Sequence, residues 1–211
     1  MKNIKAKTIF LLAWTTAFAV CDGAWLYNDP AAMAGYAGST SVTVTQSGIE
    51  LKAEVEYAVY APGTYPGSDL VGGDEYIYAY QIFNDLKADV AVDFFSVGII
   101  SPATVNSIYT DNTYGYSPSY AIEPTISNIF AQSAGFIFAG QSLNPRKWSS
   151  VLIFSSDNGP TIGFGTVSGG GLCSMGNLPT PSIIPEPVTI LLIAPAFLAL
   201  WNRNRKITRI K

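Results

Sequence analysis

The chain has 211 residues, 48 % of them hydrophobic, which suits one packed domain with appendages. Charged residues make up 13 %, against roughly 25 % in an average globular chain, and the absence of histidine excludes Ser–His and Cys–His nucleophile pairs, His metal ligands and His general bases. The net charge of −3 is unevenly spread: acids outnumber bases thirteen to four between residues 24 and 183 while bases gather at both ends, and so acidic a body argues against a nucleic-acid partner.

The chain opens with Lys2, Lys5 and Lys7 before an uncharged run over residues 8–20. A basic head, a short apolar run and small residues at an A-x-A site predict a secretory signal peptide over residues 1–23. Ala17-Phe18-Ala19 and Ala19-Val20-Cys21 both offer a cleavage site for signal peptidase. The run is shorter than the ~20 residues of a comfortable membrane span. Cys21 raises the alternative of lipid attachment, but Val20 before it is bulkier than such a site wants. If cleavage removes Cys21, Cys173 is the remaining thiol and no intramolecular disulfide forms. Cys173 follows a glycine run with no histidine to activate it, which makes it a small filler rather than a nucleophile.

The centre reads as strands. Over residues 49–60, Ile49, Leu51, Ala53, Val55, Tyr57 and Val59 alternate with Glu50, Lys52, Glu54, Glu56, Ala58 and Tyr60. A period of two predicts a half-buried strand with the glutamates on its solvated face. Further strands are expected at 41–45, 75–84, 89–100, 133–139 and 149–155, with Tyr76, Tyr78, Tyr80 and Ile82 sharing a face. Pro-Gly, Gly-Gly, Asp-Asn and Asn-Gly-Pro clusters mark the turns between them. Six to nine strands with such punctuation predict an all-β fold: an antiparallel Ig-like or jelly-roll-type β-sandwich over residues 24–179. The Tyr-x-Tyr-x-Ile-x-Asn strand at 78–84 and the Ser-rich strand after Trp148 are similar to strands of Ig-like exported bacterial modules. Residues 163–171, Gly-Phe-Gly-Thr-Val-Ser-Gly-Gly-Gly, lack the spacing of a phosphate loop and predict a late strand passing into a flexible loop.

No residue constellation in this body announces catalysis, and a non-enzymatic, structural or adhesive role is expected. Paired carboxylates such as Glu54 and Glu56 sit on a polar strand face, where solvated charge belongs, rather than at a glycosidase site. Asp69, Asp74 and Glu75, around Gly72-Gly73, and Asp111 with Asn112 are candidates for Ca²⁺, which takes oxygen ligands from flexible loops. No other metal and no cofactor is expected. Tyrosine is the residue type with binding potential, because its ring stacks on sugar rings or packs a partner. Tyr114, Tyr116 and Tyr120, among Gly115, Ser117 and Pro118, form the candidate ligand surface. The alternative function is a secreted carbohydrate-binding module, with or without Ca²⁺, or a glycan-acting enzyme. Ice binding would want a flat Thr-rich face with repeats, and Thr43 and Thr45 are the sole hint of one.

After a linker expected at residues 180–184 comes Pro185-Glu186-Pro187, an apolar stretch over 188–201 broken by Thr189 and Pro195, and a basic tail with Arg203, Arg205 and Lys206. Prolines hold the strip extended. An apolar helix followed by Arg and Lys stops in the membrane with its tail in the cytoplasm. Its 14 residues span about 21 Å at ~1.5 Å per residue, short of a core about 30 Å thick, as suits a transient signal rather than a permanent anchor. This arrangement over residues 185–211 resembles the PEP-CTERM sorting signal of bacterial exported proteins. The resemblance implies an exosortase as processing partner, with cleavage near the strip. It also implies passage through the cytoplasmic membrane by the C-terminal helix, then display at the cell surface or in the extracellular matrix, where a polysaccharide is the expected contact.

Overall fold

The computed structural model describes residues 25–68 and 72–183. Ten strands lie among them: β1 Ala37–Gln46, β2 Ile49–Tyr60, β3 Tyr76–Asn84, β4 Phe94–Gly98, β5 Ser107–Asp111, β6 Ile126–Phe130, β7 Ser133–Ile137, β8 Val151–Ser156, β9 Pro160–Gly169 and β10 Leu172–Pro181. They form two five-stranded sheets, ordered β1-β2-β3-β8-β5 and β10-β9-β4-β7-β6, and every ladder is antiparallel. The all-β, antiparallel, two-sheet body expected from the alternation is therefore present. The helices expected to flank it, and the signal and sorting segments, lie outside the described residues.

Two hairpins rest on the same backbone chemistry. Between Gln46 and Ile49, Ser47 and Gly48 have φ of 53° and 79°; between Gly169 and Leu172, Gly170 and Gly171 have 57° and 81°. Two consecutive left-handed residues make the turn whose twist matches that of the strands it joins. The glycine run at 163–171 thus continues as strand β9 to Gly169 and reverses tightly, instead of entering the flexible loop expected there.

The core between the sheets is built from the alternation of β2 and β3. Leu51, Ala53, Val55 and Val59 point inward with Tyr78, Tyr80 and Ile82, all at most 2 % exposed. Phe154 stacks on Tyr78 and Tyr80 at 4.9 and 5.7 Å. Phe95 continues from Tyr80 at 5.6 Å to Phe136 at 6.2 Å, so one aromatic file crosses from sheet to sheet. The buried phenols have partners: Tyr80 donates to the Pro179 carbonyl at 2.5 Å and Tyr78 to that of Asn158 at 2.8 Å. At one side the sheets' end strands are tied together, Thr40 Oγ1 donating to the Asn177 carbonyl at 2.8 Å.

A second, smaller core covers the outer face of the first sheet. Leu26, Ala58, Tyr60, Tyr65, Ile77, Ala79, Val151 and Ile153 pack there, beneath the segment around the 3-10 turn Leu26–Asn28 and the loops after β2 and β5. This layer corrects the solvated glutamate face expected of β2. Glu54 is exposed, but Glu56 is buried, because the N-terminal segment folds over it.

Two further expectations change. The strand expected over 89–100 is confined to Phe94–Gly98; before it Val92 makes an isolated antiparallel bridge with Leu143, and the side-chain amide of Asn84 binds the carbonyls of Val90 and Leu143. Residues 180–182 are not a linker. Thr180 and Pro181 pair with Thr161 and Pro160 of β9, and Thr180 and Ser182 are buried. Prolines that suggest a linker in sequence are compatible with β10 because it is an edge strand, with no ladder to complete on its far side.

Candidate functional site

The site begins at a cross-strand polar pair under the second core. Glu56 of β2 faces Gln81 of β3. Both point to the outer face, both are buried, and each holds a piece of backbone lying over the sheet. The Glu56 carboxylate accepts the Leu26 N–H at 3.2 Å. Gln81 accepts the Tyr116 N–H at 2.8 Å and donates to the carbonyls of Tyr116 and Ser149 at 3.1 and 2.7 Å. Leu26 is the neighbour of Trp25, so the pair sets Trp25 and Tyr116 side by side, their rings stacked at 4.3 Å.

Gly115 makes this approach possible. Its φ of 85° suits glycine, and a Cβ there would strike the Val151 side chain and lie 2.9 Å from Gln81 Oε1. Phe83 at the end of β3 stacks on Trp25 at 5.7 Å. Trp148, bridged antiparallel to Phe83, meets Tyr116 edge-on at 5.1 Å and donates its indole N–H to the Ser117 carbonyl at 3.2 Å. The four rings bound an open cleft of about 390 Å³, completed by Asn84, Leu86, Arg146 and Lys147. Its floor backbone is internally paired: Arg146 N–H to Asn84 O, Asn84 N–H to Lys147 O and Ile122 N–H to Trp148 O. Arg146 has φ of 70°, a conformation a non-glycine residue keeps only where its surroundings impose it.

Behind the cleft lies a tyrosine–aspartate network. Asp29 accepts the hydroxyls of Tyr60, at 2.5 Å, and Tyr114, together with the Ala31 N–H at 2.9 Å. Asp111 accepts Tyr65 Oη at 2.9 Å, Ser68 N–H at 2.8 Å, and both the N–H and hydroxyl of Thr113 at 2.7 and 2.6 Å. Burial alone would raise Asp111, but these donors outweigh it and hold its carboxyl below the usual range. Burial, with the adjoining aspartates, pushes the Tyr60 and Tyr65 hydroxyls well above theirs. The network clamps loops; its carboxylates are spent on hydrogen bonds within the body.

Glu56 behaves differently. Burial, then the neighbouring Glu54, raises its pKa to about 7, against the lowering effect of the Tyr27 and Leu26 N–H groups.

The expected ligand tyrosines separate in the structure. Tyr116 is in the cleft, Tyr114 is partly buried and bound to Asp29, and Tyr120 projects away, 75 % exposed. The expectation passed over Trp25, Phe83 and Trp148. Trp148 could have been found as a tryptophan beside the two adjacent bases of an acidic body, whereas Trp25 carries no signal until the N-terminal segment is folded onto β2. The file Tyr76, Tyr78, Tyr80 is packed inside the sandwich, Tyr78 and Tyr80 fully so. Of the Ca²⁺ candidates, Asp69 lies outside the described residues, Asp74 is exposed, and Glu75 accepts Asn106 Nδ2 at 2.9 Å. Among the described residues no three or more carboxylate or thiol side chains come together to hold a metal. The sorting residues Pro185, Glu186, Pro187, Arg203, Arg205 and Lys206 lie outside the described residues. No helix among the described residues is long and apolar enough to cross a membrane.

No family model, curated protein or solved structure matches this chain.

Proposed function

We propose that the chain is an exported surface protein whose all-β body is a non-catalytic adhesive module, binding extracellular polysaccharide at the Trp25–Phe83–Tyr116–Trp148 cleft. The observation that carries this reading is the cleft itself. Four rings from four separate regions of the chain converge on one open recess, held from behind by Glu56 and Gln81. Ring faces at a concave surface suit the apolar faces of sugar rings. A non-catalytic body agrees with the lack of histidine and with Asp29 and Asp111 being engaged as loop clamps.

Delivery rests on the two chain ends. The signal peptide at 1–23 directs export, and the PEP-CTERM-like tail, with its Pro185-Glu186-Pro187 strip and the Arg203, Arg205, Lys206 stop, is processed by an exosortase in the cytoplasmic membrane before release to the surface or matrix. Glu186→Ala is expected to leave uncleaved precursor in the membrane, read as a larger mass; surface yield equal to wild type would sink this half. For the body, a glycan array with the full chain and with Trp148→Ala is the test. Saturable binding that weakens at least tenfold in the variant is expected. Binding that ignores Trp148, or release of reducing sugar by the wild type, would replace this reading with another surface or with a hydrolase.

A further inference from the structure

The four bases of the acidic body are not scattered evenly. Lys52 pairs with Asp85 at 3.2 Å. Lys87 is on the exposed turn where its own N–H caps the Asp85 carboxylate at 2.8 Å. The other two, Arg146 and Lys147, are consecutive, exposed, and both line the aromatic cleft. Neither makes an ion pair among the described residues. Their loop is tied to the end of β3 by the Arg146 and Asn84 backbone bonds, and Arg146 keeps its left-handed φ there. Among the described residues Lys87, Arg146 and Lys147 all lack an ion pair, and the fold sets two of these three cations, side by side, against its four clustered rings.

Resting on the reading above, we infer that the ligand of this cleft is an acidic polysaccharide, carrying carboxylates in the manner of uronic acid residues. A neutral sugar needs the rings alone. Adjacent guanidinium and ammonium groups add charge-assisted hydrogen bonds to carboxylate. Elsewhere the excess of acids repels a polyanion, so attraction is confined to the cleft and sets the ligand's orientation as well as its affinity. An acidic peptide would also meet rings and cations. It would need backbone partners in addition, and the N–H and C=O of Asn84, the Arg146 N–H and the Trp148 C=O are already paired within the chain.

The test uses the full chain in a sugar-free detergent. Its probes are oligosaccharides of polygalacturonate, alginate and hyaluronan, each beside its carboxyl-reduced, neutral counterpart, with poly-glutamate as the peptide probe. At least one acidic glycan should bind ten or more times tighter than its reduced form in 50 mM salt, with the gap closing in 500 mM salt. Arg146→Gln/Lys147→Gln should bring acidic binding down to the neutral level with the unfolding midpoint kept, while Lys87→Gln changes nothing. Neutral and acidic forms bound equally would overturn the inference and leave the glycan-binding reading intact. Poly-glutamate bound as tightly as the best glycan would overturn the inference in favour of a peptide ligand. No binding to any glycan would overturn both.

Discussion

Glu56 is the residue whose chemistry departs furthest from its sequence context. An alternating strand places it among solvated glutamates, and the N-terminal segment then buries it. Its carboxyl titrates near 7 in the folded state, against 4.5 for an ordinary glutamate. The folded chain therefore binds the proton more tightly than the unfolded one. Stability from this group is fully present below about 4.5 and is lost as pH rises through about 7, a change of at most about 3 kcal/mol for a shift of this size. Urea midpoints at pH 5 and pH 8 should show the wild type losing stability relative to Glu56→Gln, which does not titrate; parallel pH profiles for the two would contradict the burial argument. Asp111 has the opposite sign. With its carboxyl held low, its contribution is present above the ordinary aspartate range and lost as the pH falls through its folded value. Asp111→Ala removes the acceptor for Tyr65, Ser68 and Thr113, and is expected to cost about 1–3 kcal/mol, since the buried Tyr65 hydroxyl is left unpaired while Ser68 and Thr113 can turn to water.

At the scale of elements, the two tight hairpins make the strongest sequence-to-structure link. The turn between β1 and β2 uses Ser47 at φ 53°, a conformation asparagine tolerates better than serine. Ser47→Asn should raise stability by about 0.5–1 kcal/mol, measured as a higher denaturation midpoint, without touching the cleft. The loop carrying Tyr116 has the reverse sensitivity. At Gly115 a side chain is strained by φ and blocked by Val151 and Gln81. Gly115→Ala should lift Tyr116 from Trp25, read as a change in tryptophan fluorescence and a loss of glycan binding larger than the loss of stability. A fluorescence spectrum like that of the wild type would show that the loop finds another path over β8.

For the molecule as a whole, β10 decides where the body ends. It is an edge strand closing against β1, and its last residues are buried: Thr180 donates its hydroxyl to the Gly98 carbonyl, and the Ser182 N–H binds the Gly159 carbonyl at 3.0 Å. A chain ending after Ile183 should unfold cooperatively near the full-length midpoint. One ending at Leu178 loses the acceptor for Tyr80 at Pro179 and should lose most of its stability, or fail to fold, as judged by thermal melts. Processing within or after the Pro185-Glu186-Pro187 strip would thus release the sandwich whole.

Much of this architecture was legible in the residues alone. Period-two alternation over 49–60, the tyrosine file of β3 and the Gly-rich turns determine that the body is antiparallel sheet, because side-chain period and turn chemistry are local properties of the chain. The terminal charge and hydropathy patterns are likewise read without a fold, which is why the export and sorting proposal rests on sequence. What tertiary structure decided is which residues meet. Trp25, Phe83, Tyr116 and Trp148 are far apart in the chain, and no local pattern joins them; they converge because Glu56 and Gln81 are cross-strand neighbours that each bind a different loop. The same folding buried a glutamate that alternation assigned to water, and turned a proline-rich stretch that reads as a linker into the last turns of an edge strand's ladder. Local rules see one strand and its two faces; a second layer laid over one of those faces is a long-range event, and only the folded chain records it.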